Sequence, residues 1–310
     1  MTLDTLLDRL VVLGYTRLGY KYRARTWPSD DPEPQALKGK TVIVTGARTG
    51  LGKATAAALA NLGATVRLAV RDPAKAQDAL TELQSNGGTY ILDQCDVADL
   101  TSVRHYASTI EEPIHALIHN AGVMPPVRTE SPQGHELTLA THVLGPLLLT
   151  ELLKHHLSRV IFVASGGMYT QPLPEDPEYR DAPYKPAVAY ARTKRIQVDL
   201  TPLMATHFAP TTIATMHPGW SHTPGLTTSL PTFTRLTGPL LRTPAQGADT
   251  TIWLAATDPA PPTGNFWHDR KPRPTHYLPH TKSTTTTRTA TWTYCQTQAG
   301  LPTPTYPPPK

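Results

Sequence analysis

From Lys40 onward, short apolar runs rich in β-branched residues alternate with stretches of helical periodicity, and this alternation constrains the fold more than any other feature. The runs fall at 41–45, 65–70, 89–92, 114–119, 160–164 and 211–216. Helical stretches lie between and after them, at 51–62, 73–83, 100–110, 134–157, 188–207 and 244–256. Strands that are apolar on both faces must be covered on both faces, and strands joined through helices run parallel. The expectation is therefore an α/β protein of three layers, a doubly wound parallel sheet with helices on both sides. At 310 residues the chain suits one large domain, or at most two small ones, with a sizeable core.

The flanks read differently. Over residues 3–25, Leu3, Leu6, Leu7, Leu10, Val11, Leu18 and Tyr22 recur at helical spacing, and the stretch ends in Arg17, Lys21, Arg23 and Arg25. Such an amphipathic helix suits a peripheral contact with an anionic membrane surface. It equally suits docking on the domain or on a partner subunit, the cations then favoured by the helix dipole. Residues 27–34 (WPSDDPEP) read as a linker, which sets 1–39 apart from a domain spanning 40–270. The extension 271–310, rich in proline and threonine, reads as irregular, with one short helix around 291–297.

Composition excludes several function classes. A net charge of +5, dispersed and without a recognised motif, does not point to nucleic acid. The thirteen histidines show no Cys/His ligand spacing, so no metal is expected. Cys95 and Cys295 lie far apart without a CxxC, which suits a reducing compartment and a cytoplasmic location. No run of about 18 apolar residues exists to span a membrane. Asp4 and Asp8 interrupt the N-terminal apolar run, against a signal peptide.

The first strand closes and the first helix opens on Thr45-Gly46-Ala47-Arg48-Thr49-Gly50-Leu51-Gly52. Gly46 permits a tight turn, Gly50 lets backbone approach a pyrophosphate, and Gly52 allows close helix–strand packing. An anion then sits on free N–H groups at a helix N-terminus. At the end of the second strand, where a carboxylate would bind the ribose of NAD, stand Val70 and Arg71. An arginine there suits a 2′-phosphate, with Arg48 as a second cation, so NADP(H) is expected in preference to NAD(H). Asp96 and Val97 end the third strand, where a carboxylate can meet an adenine or cap the next helix.

Tyr190 and Lys194 stand at i and i+4 on one helical face, following Ser165 at the end of an apolar strand. A cation near a phenol lowers its pKa and makes Tyr190 a usable acid or base. Together, Gly46…Gly50…Gly52, Asn120-Ala121-Gly122, Ser165, Tyr190…Lys194 and Pro218-Gly219 resemble, in type and order, the short-chain dehydrogenase/reductase family. More narrowly, Ser165-Gly166-Gly167-Met168, Met216-His217-Pro218-Gly219-Trp220, Ala245-Gln246-Gly247-Ala248-Asp249-Thr250 and Asp269-Arg270-Lys271-Pro272 resemble its orphan member-twelve subgroup and the bacterial relatives of that subgroup.

The resemblance implies a Rossmann fold and hydride transfer between nicotinamide and a carbonyl/alcohol substrate. Tyr190 would exchange the proton, Lys194 would hold the nicotinamide ribose, and Ser165 would hydrogen-bond the substrate oxygen. Asn120, Ala121 and Gly122 would line the adenosine side, and Pro218, Gly219 and Thr223 the carboxamide. It also implies a homo-oligomer, formed through helices for which 147–153 and 188–200 are candidates. One position departs from the pattern. Where the family has an asparagine that steadies a relay water, the chain has His142, either a substitute proton relay or a packing replacement.

Two stretches are candidates for substrate contact. One is the 24-residue excursion between Ser165 and Tyr190, a lid, a specificity loop or a solvated surface loop. The other follows Trp220 and contains Leu226, Leu230, Phe233, Leu236 and Leu240, whose apolar content suits a lipophilic substrate. Two alternatives stand beside the oxidoreductase: a non-redox enzyme on the same scaffold (isomerase, dehydratase or cyclase), and a catalytically silent NADP-binding protein.

Overall fold

The structure, a computed structural model, describes residues 4, 5, 8, 11–222, 235 and 237–302. Among them eight strands form one sheet: β1 Thr41–Thr45, β2 Thr65–Val70, β3 Thr89–Gln94, β4 Ile114–His119, β5 Leu157–Val163, β6 Thr212–Met216, β7 Asn265–His268 and β8 Lys271–Pro272. Their order is β3-β2-β1-β4-β5-β6-β7-β8. Strands β1 to β7 are parallel, and β8 turns back antiparallel on β7. The expected doubly wound sheet is what the chain forms. Four-residue β7 was not legible, because so short a run carries no periodicity.

The helices are α1 Val11–Tyr15, α2 Arg17–Ala24, α3 Gly50–Asn61, α4 Gln77–Ser85, α5 Leu100–Ala107, α6 Leu137–Leu139, α7 Gly145–Leu153, α8 Pro186–His207, α9 Pro244–Ala256 and α10 Thr285–Ala299. A π-helical turn, Ala140–Leu144, joins α6 to α7. Alternation along each strand divides the core in two. Val42, Val44, Ile118, Ile161 and Met216 face the side carrying α3, α4 and α9. Ile43, Leu117, Val160, Phe162 and Ile213 face the side carrying α5, α7, α8 and α10. The winding reverses between β1 and β4, so a crevice opens beyond the C-terminal ends of those two strands.

Both flanks differ from the sequence reading. In place of one helix over 3–25, α1 and α2 break at Thr16, which is extended (φ −83°, ψ 173°) and donates its hydroxyl to Leu13 O at 3.0 Å. The segment docks on the domain through Tyr15 and Arg23, both buried. Leu13, Leu18 and Tyr22 face outward among Arg17, Lys21 and Arg25. The expected linker is pinned, since Asp31 accepts bonds from Trp253 Nε1 (2.7 Å) and Thr257 Oγ1 (2.6 Å).

The tail expected to be irregular holds a fifteen-residue helix, α10, in place of the short helix around 291–297. Reciprocal side-chain bonds between Thr284 and Thr287 cap its N-terminus. Its Trp292, Cys295 and Ala299 pack into the cluster that contains Leu147, Leu148, Leu153, Ile196 and Leu200. These last five belong to the stretches 147–153 and 188–200 that the family resemblance would put at a subunit interface. They are buried within one chain, so association through those apolar faces would have to displace α10.

Trp292→Ala should therefore cost about 3–5 kcal/mol of folding stability in urea denaturation, as for a large core aromatic. Leu152→Ala, on the exposed side of α7, should change it by less than about 0.5 kcal/mol.

Candidate active site

The crevice is built around Thr45, the last residue of β1. Its buried hydroxyl donates to Ile118 O (3.3 Å) and accepts from the backbone N–H groups of Asn120 and Ala121, both at 3.1 Å. Asn120 returns the contact, donating Nδ2 to Thr45 O at 3.0 Å. The ends of β1 and β4 are thus tied across the point where the winding reverses.

The glycine turn takes the shape its sequence requires. Gly46 (φ 67°) and Gly50 (φ 57°) adopt left-handed backbone. A Cβ on Gly46 would meet Ala121 Cα at 2.8 Å, and one on Gly52 would collide with the Asn120 amide and Gly46 O. The N-cap of α3, Thr49, makes no side-chain cap, so the first-turn N–H groups keep their capacity for an anion. Arg48 and Arg71, both exposed, have no ion-pair partner among the described residues. Leu51 lies in the first turn of α3, its side chain against Gly247 of α9. These groups fit a dinucleotide phosphate.

Asp96 accepts from Ala98 N (3.0 Å), and the cap of α5 is Asp99, which accepts from Thr101 N (2.9 Å). Of the two roles read for Asp96, the helix cap therefore goes to its neighbour. Val97 is buried, and its carbonyl lies so close to Gly145 that a side chain there would overlap it. Gly122 packs against the His142 ring.

Ser165 follows β5, and Tyr190 and Lys194 lie on α8, all at the same end of the sheet. Burial pushes the Tyr190 phenol above its ordinary pKa, and a hydrogen bond with the Ser165 hydroxyl pulls it back. The expected lowering by Lys194 is not what this geometry produces. Lys194 is itself buried, which holds its ammonium down to about 7. Its Nζ donates to Val163 O at 2.7 Å and lies 5.6 Å from the Tyr190 ring centroid.

His142 sits in the π turn, fully buried, edge-on to Tyr190 with ring centroids 5.2 Å apart. Val123 N–H donates to its Nε2 (3.0 Å), which leaves the proton on Nδ1, facing Thr193 Oγ1 at 2.7 Å; Thr193 donates in turn to Tyr190 O (2.9 Å). Both ring nitrogens are occupied. Burial, and then the Lys194 charge, hold the imidazole well below its usual pKa. The backbone carbonyl of His142 accepts from Gln197 Nε2 (2.7 Å).

The excursion after Ser165 is anchored in its second half. Buried Glu178 accepts from His135 Nδ1 (2.9 Å), Glu136 N (2.7 Å) and Tyr294 Oη (2.9 Å). Its first turn is held by Arg195, which donates to Met168 O (3.1 Å) and Gln171 O (3.0 Å). Pro218 and Gly219 follow β6. Thr223, Leu226, Leu230, Phe233 and Leu236 lie outside the described residues. Sequence reasoning missed what supports Gly219. Arg242 contacts Pro218 O (3.3 Å) and pairs with buried Asp269 (2.6 Å), and no local spacing signals partners 27 residues apart. No cluster of metal-ligating side chains exists among the described residues, nor any helix long and apolar enough to cross a membrane.

A glycine turn at the switch point of a doubly wound sheet, with Ser165 and Tyr190 at the same strand ends, defines a dinucleotide-binding α/β scaffold. Residues 40–231 match the family described as short chain dehydrogenase. The chain is 39% identical over 274 residues to Dehydrogenase/reductase SDR family member 12 of Bos taurus, covering 84% of this chain and 86% of that protein. It is 32% identical over 270 residues to Retinol dehydrogenase 14 of Mus musculus, covering 77% and 80%. A crystal structure of an uncharacterized protein from Mycobacterium paratuberculosis superposes with a TM-score of 0.70 at 28% identity, covering 91% of this chain and 98% of that one. The chain belongs to the short-chain dehydrogenase/reductase family of NAD(P)-binding oxidoreductases.

Burial of Lys194 has a consequence for stability. An unfolded lysine keeps its proton up to about pH 10.4, whereas the folded one loses it near 7. Between those values the unfolded state binds more protons, so this group makes stability rise with pH. In urea titrations without nucleotide, stability relative to Lys194→Met should climb from pH 7 to pH 9. A constant difference would refute the buried, weakly basic lysine.

Proposed function

We propose that this chain is an NADP(H)-dependent oxidoreductase acting on a carbonyl/alcohol pair, with Tyr190 as its acid/base. The observation that carries the reading is the placement of Ser165 after β5 and of Tyr190 and Lys194 one helical turn apart on α8, at the strand ends beside the glycine turn, with the Ser165 hydroxyl acting on the Tyr190 phenol. The turn Gly46, Ala47, Arg48, Thr49 and the first residues of α3 would hold the pyrophosphate. Arg48 and Arg71 would hold a 2′-phosphate, which supports NADP(H) over NAD(H). When bound, the cofactor supplies or accepts the hydride.

The chain's own residues place the substrate oxygen and handle its proton. Ser165 Oγ and Tyr190 Oη form the pair of hydroxyls that receives the oxygen, and Tyr190 gives a proton to it in reduction or takes one in oxidation. A cation bound to Val163 O stands one turn away as Lys194, and the negative charge of a bound nucleotide would restore its full protonation. His142 is a positioning residue: with both nitrogens bonded, its ring fixes Val123 to α8 and gives Tyr190 an edge to pack on. A lipophilic substrate is supported by the leucines after Trp220 and by the name of the retinol dehydrogenase relative.

NADPH consumption across a panel of aldehydes and ketones, with retinal among them, tests the reading. Tyr190→Phe should lower kcat by about 10²–10⁴, the range of general acid catalysis, while leaving NADPH affinity within a few-fold. In the same assay Arg71→Ala should weaken NADPH by roughly 10–100-fold and NADH little, as for the loss of a charge-assisted hydrogen bond. Turnover without net oxidation would point to the non-redox alternative, and binding without turnover on any substrate to the silent one.

A further inference from the structure

The segment before the sheet contacts two loops of the candidate site. Tyr15 is fully buried, and a Cβ added to Gly166, next to Ser165, would meet its ring at 2.8 Å. The same ring stands edge-on to His217 (centroids 4.3 Å apart) and to His268 (4.9 Å). His217 precedes Pro218-Gly219, and its Nδ1 accepts from Gly219 N at 3.0 Å. One aromatic ring is thus wedged between the Ser165 loop and the turn after β6.

The backbone of the segment makes the second half of the contact. Tyr15 O accepts from Trp220 N (2.8 Å) and from Arg242 Nε (3.0 Å). Gly14 O accepts from Arg242 Nη2 (3.0 Å) and Arg23 Nη1 (3.1 Å). Arg242 also donates to Pro218 O, and its backbone N–H reaches Trp220 O at 2.7 Å. Asp269, buried, pairs with both arginines, at 2.6 Å and 2.7 Å. A Cβ on Gly219 (φ 71°) would strike the Arg242 guanidinium and come within 2.7 Å of Tyr15 O. The turn has no room to shift without moving Tyr15.

We infer that residues 14–23 are a positioning element of the nicotinamide half of the site, acting through the Tyr15 ring on Gly166 and His217 and through Arg242 on Pro218–Trp220. The glycine turn, Arg48 and Arg71, which would hold the pyrophosphate and the 2′-phosphate, lie beyond β1 and β2, and among the described residues no hydrogen bond or ion pair joins them to these groups. Loss of the Tyr15 ring therefore loosens one half of the cofactor site and leaves the other intact. The inference rests on the oxidoreductase reading for its ligand.

The experiment compares NADPH with 2′,5′-ADP, which carries the adenosine half alone, by calorimetry on the full chain. Tyr15→Phe keeps the ring and should bind both as the wild type does. Tyr15→Ala should weaken NADPH tenfold or more and leave 2′,5′-ADP within twofold. If Tyr15→Ala does not fold, Tyr15→Leu carries the test: it keeps apolar bulk in the core but not the ring's contacts with Gly166 and His217, and should produce the same selective loss. Unchanged NADPH binding in a folded Tyr15→Ala or Tyr15→Leu, or an equal loss of both ligands, overturns the inference alone. A wild type that binds NADH in place of NADPH corrects only the cofactor reading, and the comparison is then made with NADH and ADP-ribose. A wild type that binds no nicotinamide nucleotide removes both readings.

Discussion

The crevice exists because β1 and β4, neighbours in the sheet but distant in sequence, are locked at their ends by Thr45 and Asn120. The Thr45 hydroxyl has one proton and two lone pairs, and all three are engaged by β4 and its following loop. The width of the gap between the two halves of the winding is therefore set by covalent geometry and three short bonds. The glycine turn leaves from that fixed point, and so does the loop that meets His142. A substitution at Thr45 by valine, similar in shape, would leave the half-buried N–H groups of Asn120 and Ala121 without this acceptor.

Burial sets the electrical state of the groups around Tyr190. Lys194 and His142 both lie out of water, and for both the charged form is the one disfavoured. His142 resolves this by staying neutral with each nitrogen bonded. Lys194 keeps a single carbonyl partner and remains close to its titration point, so it responds to whatever charge is brought near it. The π turn that carries His142 makes this arrangement possible: it widens the helix by one residue and turns the His142 carbonyl toward Gln197.

Much of this was legible in the sequence because it is local. Six strands and six of the helices announce themselves by periodicity, and the glycine turn, Ser165, Tyr190 and Lys194 by their placement on those elements. What escaped is long-range. The break at Thr16 follows from docking, since Tyr15 and Arg23 turn inward while Leu18 and Tyr22 of the expected stripe are exposed; Leu3, Leu6, Leu7 and Leu10 lie outside the described residues. α10 is nearly half threonine, and only its three buried apolar residues, Trp292, Cys295 and Ala299, betray a buried side. The pairing of Arg23 and Arg242 with Asp269 joins three points spread over most of the chain. The role of His142 turned on which partners met its two nitrogens, and residue type alone could not supply them.

α10 is made on the ribosome after every strand of the sheet. Until it arrives, the parts of α7 and α8 that meet Trp292, Cys295 and Ala299 lack that cover, although the residues that hold β1 to β4 are already in place. The nascent protein thus passes through a stage with a nearly complete sheet and an open greasy flank, the kind of surface on which partly folded chains stick to one another. The last of the described helices, at the opposite end of the sequence from the glycine turn, is accordingly the one that closes this flank.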